Sequence, residues 1–139
     1  MPAADIDDLH GWAGTLLAKL QPAERRKLSR QIATTLRQGQ AARIASQKNP
    51  DGTPYVPRKH LRRKKGRIAR VVFLKLRKAS HLKANGNASE ASVGFSGRDA
   101  GIARQHQAGG AKLPRRGLLG FTKADRERIK DQVLAVLAR

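Results

Sequence analysis

From Gly52 to Ser89 the chain carries twelve lysines and arginines and no acidic residue. Eight of these cations fall between Arg58 and Arg70: Arg58, Lys59, Arg62, Arg63, Lys64, Lys65, Arg67 and Arg70. Like charges at this density repel, so the segment is tolerable only beside anions, acidic neighbours or solvent. The rest of the chain offers little relief. Lysine and arginine total 30 against 10 acids, a formal charge of +20. A charge of this size points to a polyanion as partner: nucleic acid, an anionic membrane or an acidic protein. The segment therefore reads as a phosphate- or acid-contacting arm, and otherwise as a solvated basic loop. Base-specific readout is disfavoured, because a single tyrosine lies near and no stacking pair or DNA-binding motif is present.

At 139 residues the chain is one domain, 1–139. Aromatics are only 4%, so its core is aliphatic and modest. The absence of cysteine excludes a disulfide scaffold, a thiolate metal site and a thiolate nucleophile. No apolar run approaches the length of a membrane span. The start, Met1 to Asp8, is acidic where a secretory signal is basic, which predicts an intracellular, soluble product.

Apolar periodicity predicts helices at both ends. Ile6, Leu9, Ala13, Leu16, Leu17 and Leu20 follow one helix face, with Asp5, Asp7 and Asp8 in the favourable first turn. That acidic start is suited to a basic patch on an adjacent subunit. Pro22 opens a second helix reaching about Gln47, with Leu28, Ile32, Leu36 and Ile44 inward and Arg25, Arg26, Lys27, Arg30, Arg37 and Arg43 outward. The two form a predicted helical hairpin. Three prolines and Asp51-Gly52 make Asn49 to Pro57 irregular, and with the basic run they give an extended arm over about 49–66. Ile68, Val71, Val72 and Leu76 predict a short helix, with a strand as the alternative because of the β-branched residues. Residues 81–97 read as an antiparallel hairpin turning at Asn85-Gly86-Asn87. Arg98 to Gln107 reads as a helix ended by Gly109-Gly110, and Leu113 to Phe121 as an edge strand or a clamped loop. Thr122 to Asp125 resembles a capping box before a last helix carrying Ile129, Val133, Leu134 and Leu137 on one face. The sum is α+β: a small antiparallel sheet with four to five helices.

Catalytic chemistry finds no foothold. His10, His60, His81 and His106 lack metal-ligand spacing, the acids form no two-metal cluster, and no serine sits in a nucleophile elbow. Neither a phosphate loop nor a dinucleotide fingerprint is present. The expectation is a non-enzyme without cofactor or metal.

Four stretches, taken in order, carry a resemblance. Ala45 to Arg58 contains Asp51-Gly52-Thr53-Pro54-Tyr55; Arg67 to Leu76 is basic and aliphatic; Ile102 to Gly109 contains His106-Gln107; Arg115 to Thr122 contains Leu118-Leu119-Gly120-Phe121. Together they resemble the phage tail completion protein S family, also called phage virion morphogenesis proteins. Gly117 stands where that family usually has proline, which predicts a looser entry to the last element, and the Gly109 to Pro114 stretch is short. The resemblance implies a structural virion protein, made in the bacterial cytoplasm, that completes the head-proximal end of the tail at the neck and enables head–tail joining. It further implies a helix following the arm and a homo-oligomeric ring of six, touching tail-tube, terminator or head-connector proteins, with non-specific contact to phage DNA. A stand-alone basic nucleic-acid-binding protein is the alternative.

Overall fold

The computed structural model describes residues 11, 20–57, 72–73, 75–110 and 113–138, and the backbone of 62–64 and 67–69. The predicted first helix and the helical hairpin it would form lie outside these residues. Among them are three helices: α1 (Pro22–Ala45), α2 (Gly97–Ala108) and α3 (Lys123–Leu137). Four short strands make two separate antiparallel pairs: β1 (Arg62–Lys64) with β2 (Arg67–Ala69), and β3 (Lys83–Gly86) with β4 (Ala91–Gly94). The architecture is α+β, with three helices among the described residues rather than four to five.

α1 organises the rest. Proline at its first position forgoes an N–H that would be unpaired anyway, while Glu24 and Arg43 complement the dipole at its two ends. Leu28, Ile32, Leu36 and Ile44 are buried at i+4 steps, and the skipped position is occupied by a buried polar residue, Gln40. The helix ends at Ala45, two residues before the expected limit, and the chain leaves through Gln47 at φ 59°, in the left-handed region.

Two apolar clusters lie along α1. Near its C-terminal end, Ile44 packs with Tyr55, Val72, Phe73, Leu76, Ala103 and Leu118. Further toward its start, Leu28, Ile32 and Leu36 pack with Ile129 and Val133 of α3, joined by Ala91, Val93 and Phe121. Each fully buried leucine contributes roughly 1.5–3 kcal/mol. Thr122 and Asp125 form the predicted capping box at the start of α3, with both hydrogen bonds 3.0 Å. Leu134 departs from the expected face. It lies one residue past buried Val133, about 100° around the helix, and is 52% exposed.

The segment expected to be a short helix over 68–76 is not one. Arg67–Ala69 is strand, residues 75–82 run through turns, and Phe73 sits at φ 64°, which no right-handed helix accommodates. The β-branched Ile68 follows its strand preference instead.

The β3–β4 hairpin lies where expected, but its turn falls two residues later. Asn85 and Gly86 are paired with Ser92 and Ala91. The turn belongs to Asn87, whose Oδ1 accepts from the N–H groups of Ser89 (2.7 Å) and Glu90 (2.9 Å). Gly86 has another task. A Cβ there would lie 2.6 Å from the Arg30 nitrogen and 2.7 Å from the Ser29 carbonyl carbon, so its glycine lets β3 lie directly on α1.

This close approach generates a test. Gly86→Ala is expected to lose about 1–3 kcal/mol through overpacking against helix backbone. Gly94→Ala, in the partner strand with nothing within 4 Å, is expected to change stability by less than about 1 kcal/mol. Urea midpoints of the two variants make the comparison.

Candidate functional site: a clamped base beneath a basic ribbon

The sequence motifs converge at the C-terminal end of α1. Asn49 to Tyr55 forms a tight loop. Asn49 N–H donates to Thr53 O (2.7 Å), Asp51 Oδ1 accepts from Thr53 N–H (2.9 Å) and hydroxyl, and Gly52 turns at φ +90°. The Asp51 carboxyl lies below its ordinary value, chiefly through the Thr53 hydroxyl and then its N–H. Pro54 bridges back to Lys48, and Tyr55 N–H donates to Gln47 O (2.7 Å). Asp51, Gly52, Thr53 and Pro54 are exposed and shape the turn; Tyr55 alone of this run is buried.

Opposite this loop runs Gly117 to Gly120, in neither helix nor strand. Its backbone is bonded entirely by side chains. Gly117 N–H donates to Asn49 Oδ1 (2.7 Å), and Gly117 O accepts from Tyr55 Oη (2.7 Å) and Arg43 Nη1 (2.9 Å). Leu118 and Leu119 N–H groups donate to Gln107 Oε1 (2.9 and 3.2 Å). Leu118 O accepts from Arg43 Nη2 (2.6 Å), and Leu119 O from Gln107 Nε2 (3.0 Å). Gln40 takes both groups of Gly120, N–H at 3.1 Å and C=O at 2.8 Å. The clamped-loop reading is the correct one, and the predicted looseness at Gly117 is not seen. Pro50 fills the space beside it, 2.8 Å from a Cβ built at Gly117 and 2.5 Å from one at Gly120. Phe121, half-buried, continues into the second cluster.

Arg43 corrects the sequence reading most sharply. Expected on the outer face of α1, it turns inward and also bonds Gln40 Oε1 (2.7 Å) and Lys48 O (2.9 Å). His106, the motif neighbour of Gln107, stacks edge-to-face on Phe73 at 4.7 Å, and Phe73 does the same with Tyr55 at 5.5 Å. The His106 carbonyl accepts from Arg116 N–H (2.8 Å).

Both roots of the basic arm are tied to this base. On the outgoing side, buried Arg116 donates from Nε to Val56 O (2.8 Å) and from Nη2 to Pro57 O (3.4 Å). On the returning side, Gln47 exchanges two bonds with the Val72 backbone, each 2.8 Å. Between the roots, Arg62, Arg63 and Lys64 pair with Ala69, Ile68 and Arg67 respectively. Arg58, Lys59, Lys65 and Arg70 lie outside the described residues. Side chains opposite one another across a ladder share a face. The register therefore puts Arg62, Lys64, Arg67 and Ala69 on one face of the ribbon, and Arg63 and Ile68 on the other. With only two strands and Lys64 directly opposite Arg67, the ribbon is weakly self-supporting. Among the described residues no group of three or more His, Cys, Asp or Glu is placed to hold a metal ion.

Sequence reasoning missed Gln40, Arg43, Gln47 and Arg116 as parts of this base. One signal was available: the stripe Leu28, Ile32, Leu36, Ile44 skips position 40, and a glutamine in a core position demands partners. Arg116 gave no such signal, since one arginine among many marks nothing.

Comparison with known proteins agrees over nearly the whole chain. The model of the phage virion morphogenesis family matches residues 4–138. Tail completion protein S of Escherichia phage P2 is 41% identical over 137 residues, covering 89% of this chain and 91% of that one. No solved structure matches.

The base yields two tests. Gln40→Leu completes the apolar stripe of α1, yet it is expected to destabilise by about 2–4 kcal/mol, because Gly120 N–H, Gly120 O and Arg43 lose their partner. A neutral or stabilising urea midpoint contradicts the clamp. Burial raises the Tyr55 hydroxyl above its ordinary 10.0, against the opposing pull of Arg43 and Arg116. The fold thus favours the protonated phenol. Its contribution is complete below pH 10.0 and is lost as pH rises from there through the folded value. Wild type minus Tyr55→Phe stability, measured against pH, is expected to fall above that point and to be flat below it.

Proposed function

This chain belongs to the phage virion morphogenesis family, and from that premise we propose that it is a structural, non-enzymatic virion protein that completes the head-proximal end of the tail and makes it competent to join the head. The name of its phage P2 relative, a tail completion protein, supports this role. The single observation that carries the mechanism is the rooting of a cationic ribbon at both ends by buried side chains, Arg116 on one strand's approach and Gln47 on the other's return. A bare basic loop needs no such foundation. A docking element does, because holding its direction lowers the entropy lost on contact.

A ring of six at the neck is the arrangement that tail symmetry favours. Ring closure uses a different patch toward each neighbour. Six copies at +20 would gather about +120 before neutralisation. The sinks for that charge are acidic surfaces of tail-tube, terminator or head-connector proteins, and phosphates of phage DNA, met without sequence preference. Protein contact is favoured, since a strongly basic channel would retain the DNA it must release. The reading as a stand-alone nucleic-acid-binding protein draws on net charge alone, which the tail-end role accommodates equally. No helix among the described residues is long and apolar enough to cross a membrane.

Replacing Arg62, Arg63, Lys64 and Lys65 together by alanine is expected to leave the thermal midpoint of the isolated protein within a few degrees of wild type. In a phage carrying that variant, head–tail joining is expected to drop by orders of magnitude, with separate heads and tails in electron micrographs. Normal infectious yield would rule the arm out.

A further inference from the structure

The exposed face of α3 is unlike the rest of this basic molecule. Glu127 and Asp131, one turn apart, are both exposed, and exposed Leu134 follows three residues later. Neither carboxylate has an ion pair or side-chain hydrogen bond among the described residues. The other acids are differently placed. Asp125 is buried in its capping box, Asp99 faces His81 at 2.8 Å, Asp51 closes its own turn, and Glu24 and Glu90 sit apart on α1 and the hairpin turn.

We propose that this face of α3, Glu127, Asp131 and Leu134, is the docking surface for the basic ribbon of a second copy of the same chain. The proposal rests on the ring reading above and names one of its contacts.

Charge, spacing and placement all support it. The ribbon face bearing Arg62, Lys64 and Arg67 has like charges directly opposed and needs anions. On a strand, same-face neighbours such as Arg62 and Lys64 are spaced about 6.6 Å apart. On a helix, i and i+4 neighbours such as Glu127 and Asp131 are about 6 Å apart at Cβ. The two rows match closely enough for paired contacts along both. Ala69, on the same ribbon face, leaves room for Leu134 and for the aliphatic stems of the arginines.

Placement decides between a self-contact and a contact between copies. The ribbon is rooted beside Arg43 and Ile44, at the C-terminal end of α1. The acidic face flanks the opposite part of that helix, where Gln132 of α3 donates to Thr35 Oγ1 (2.7 Å) and Gln31 O (3.4 Å). From Gln31 to Ile44 the axis advances about 20 Å. Complementary patches at opposite ends of one protomer generate head-to-tail association, the geometry a closed ring requires. The remaining ribbon face, with Arg63 and Ile68, stays available to other components.

Sedimentation of the purified full chain tests this. At low salt the wild type is expected to self-associate, and added salt to reverse it. E127K/D131K is expected to weaken association at least about tenfold, as is R62E/K64E/R67E, and the two sets combined are expected to restore it. Unchanged circular dichroism guards against misfolding. Independently, because the chain has no cysteine, copies carrying L134C and copies carrying A69C can be mixed and oxidised; the mixed dimer should exceed both like-with-like dimers. A wild type that stays monomeric at low salt, an E127K/D131K variant that associates normally, or a failure of the combined variant to recover would each overturn the proposal. These readouts are separate from head–tail joining, so the tail-completion role can stand while this contact falls, and the reverse.

Discussion

The backbone of Gly117 to Gly120 is the constraint on which the rest depends. It is packed against the C-terminal end of α1 without a helix or strand to satisfy it, and buried peptide groups left unpaired each cost about 1–3 kcal/mol. Five side chains from three parts of the chain resolve this: Gln40 and Arg43 from α1, Asn49 and Tyr55 from the loop after it, and Gln107 from α2. Each is a residue whose geometry suits the task. Glutamine amides offer a donor and an acceptor on one plane, so Gln40 and Gln107 each hold an N–H and a C=O of the same loop. Arg43 spans two successive carbonyls with its two terminal nitrogens. The result does the work of a sheet with no strand in it.

That base is what allows a cationic ribbon to exist on so small a protein. Repulsion within the ribbon pushes its strands apart, and its own short ladder resists weakly. The opposing force comes from below. Arg116 fixes where the chain leaves and Gln47 fixes where it returns, and both are tied to residues that the clamp immobilises. Arg116 is itself a buried cation, neutralised by carbonyl dipoles rather than by a carboxylate, which fits a chain with few acids to spare.

Local signals in the sequence were legible where a single element decides the outcome. Pro22 opening α1, the Thr122–Asp125 box, the alternation through Ala91 and Val93, and Gly109 ending α2 all appear as read. Signals failed where tertiary contact overrides them. Asn85-Gly86 has the strongest turn chemistry in its segment, yet Gly86 is required against the backbone of Arg30 and the turn moves to Asn87. Residues 68–76 have helical spacing, yet Phe73 is held left-handed with its ring between Tyr55 and His106. Gly117 looked like a weakness where the family usually has proline. Its N–H bonds Asn49 and its missing Cβ admits Pro50, so the loop at 49–50 and the residue at 117 are matched to each other. The charge run announced an arm; nothing local announced what holds it.

The clamp also couples folding to assembly competence. Its bonds join residues 40–55 to residues 107–120, so the arm's foundation is assembled from chain segments more than fifty residues apart. Contacts this distant carry a loop-closure cost that local ones do not. A chain with α1 and the β3–β4 hairpin formed, but with 113–121 undocked, would have neither Arg116 at Val56 nor Gln107 on Leu118. Its ribbon would be untethered on the outgoing side, and docking it would cost additional ordering entropy. Completed folding is thereby made a condition for presenting a directed basic surface, which protects a strongly charged protein from engaging acidic partners before its own core is closed.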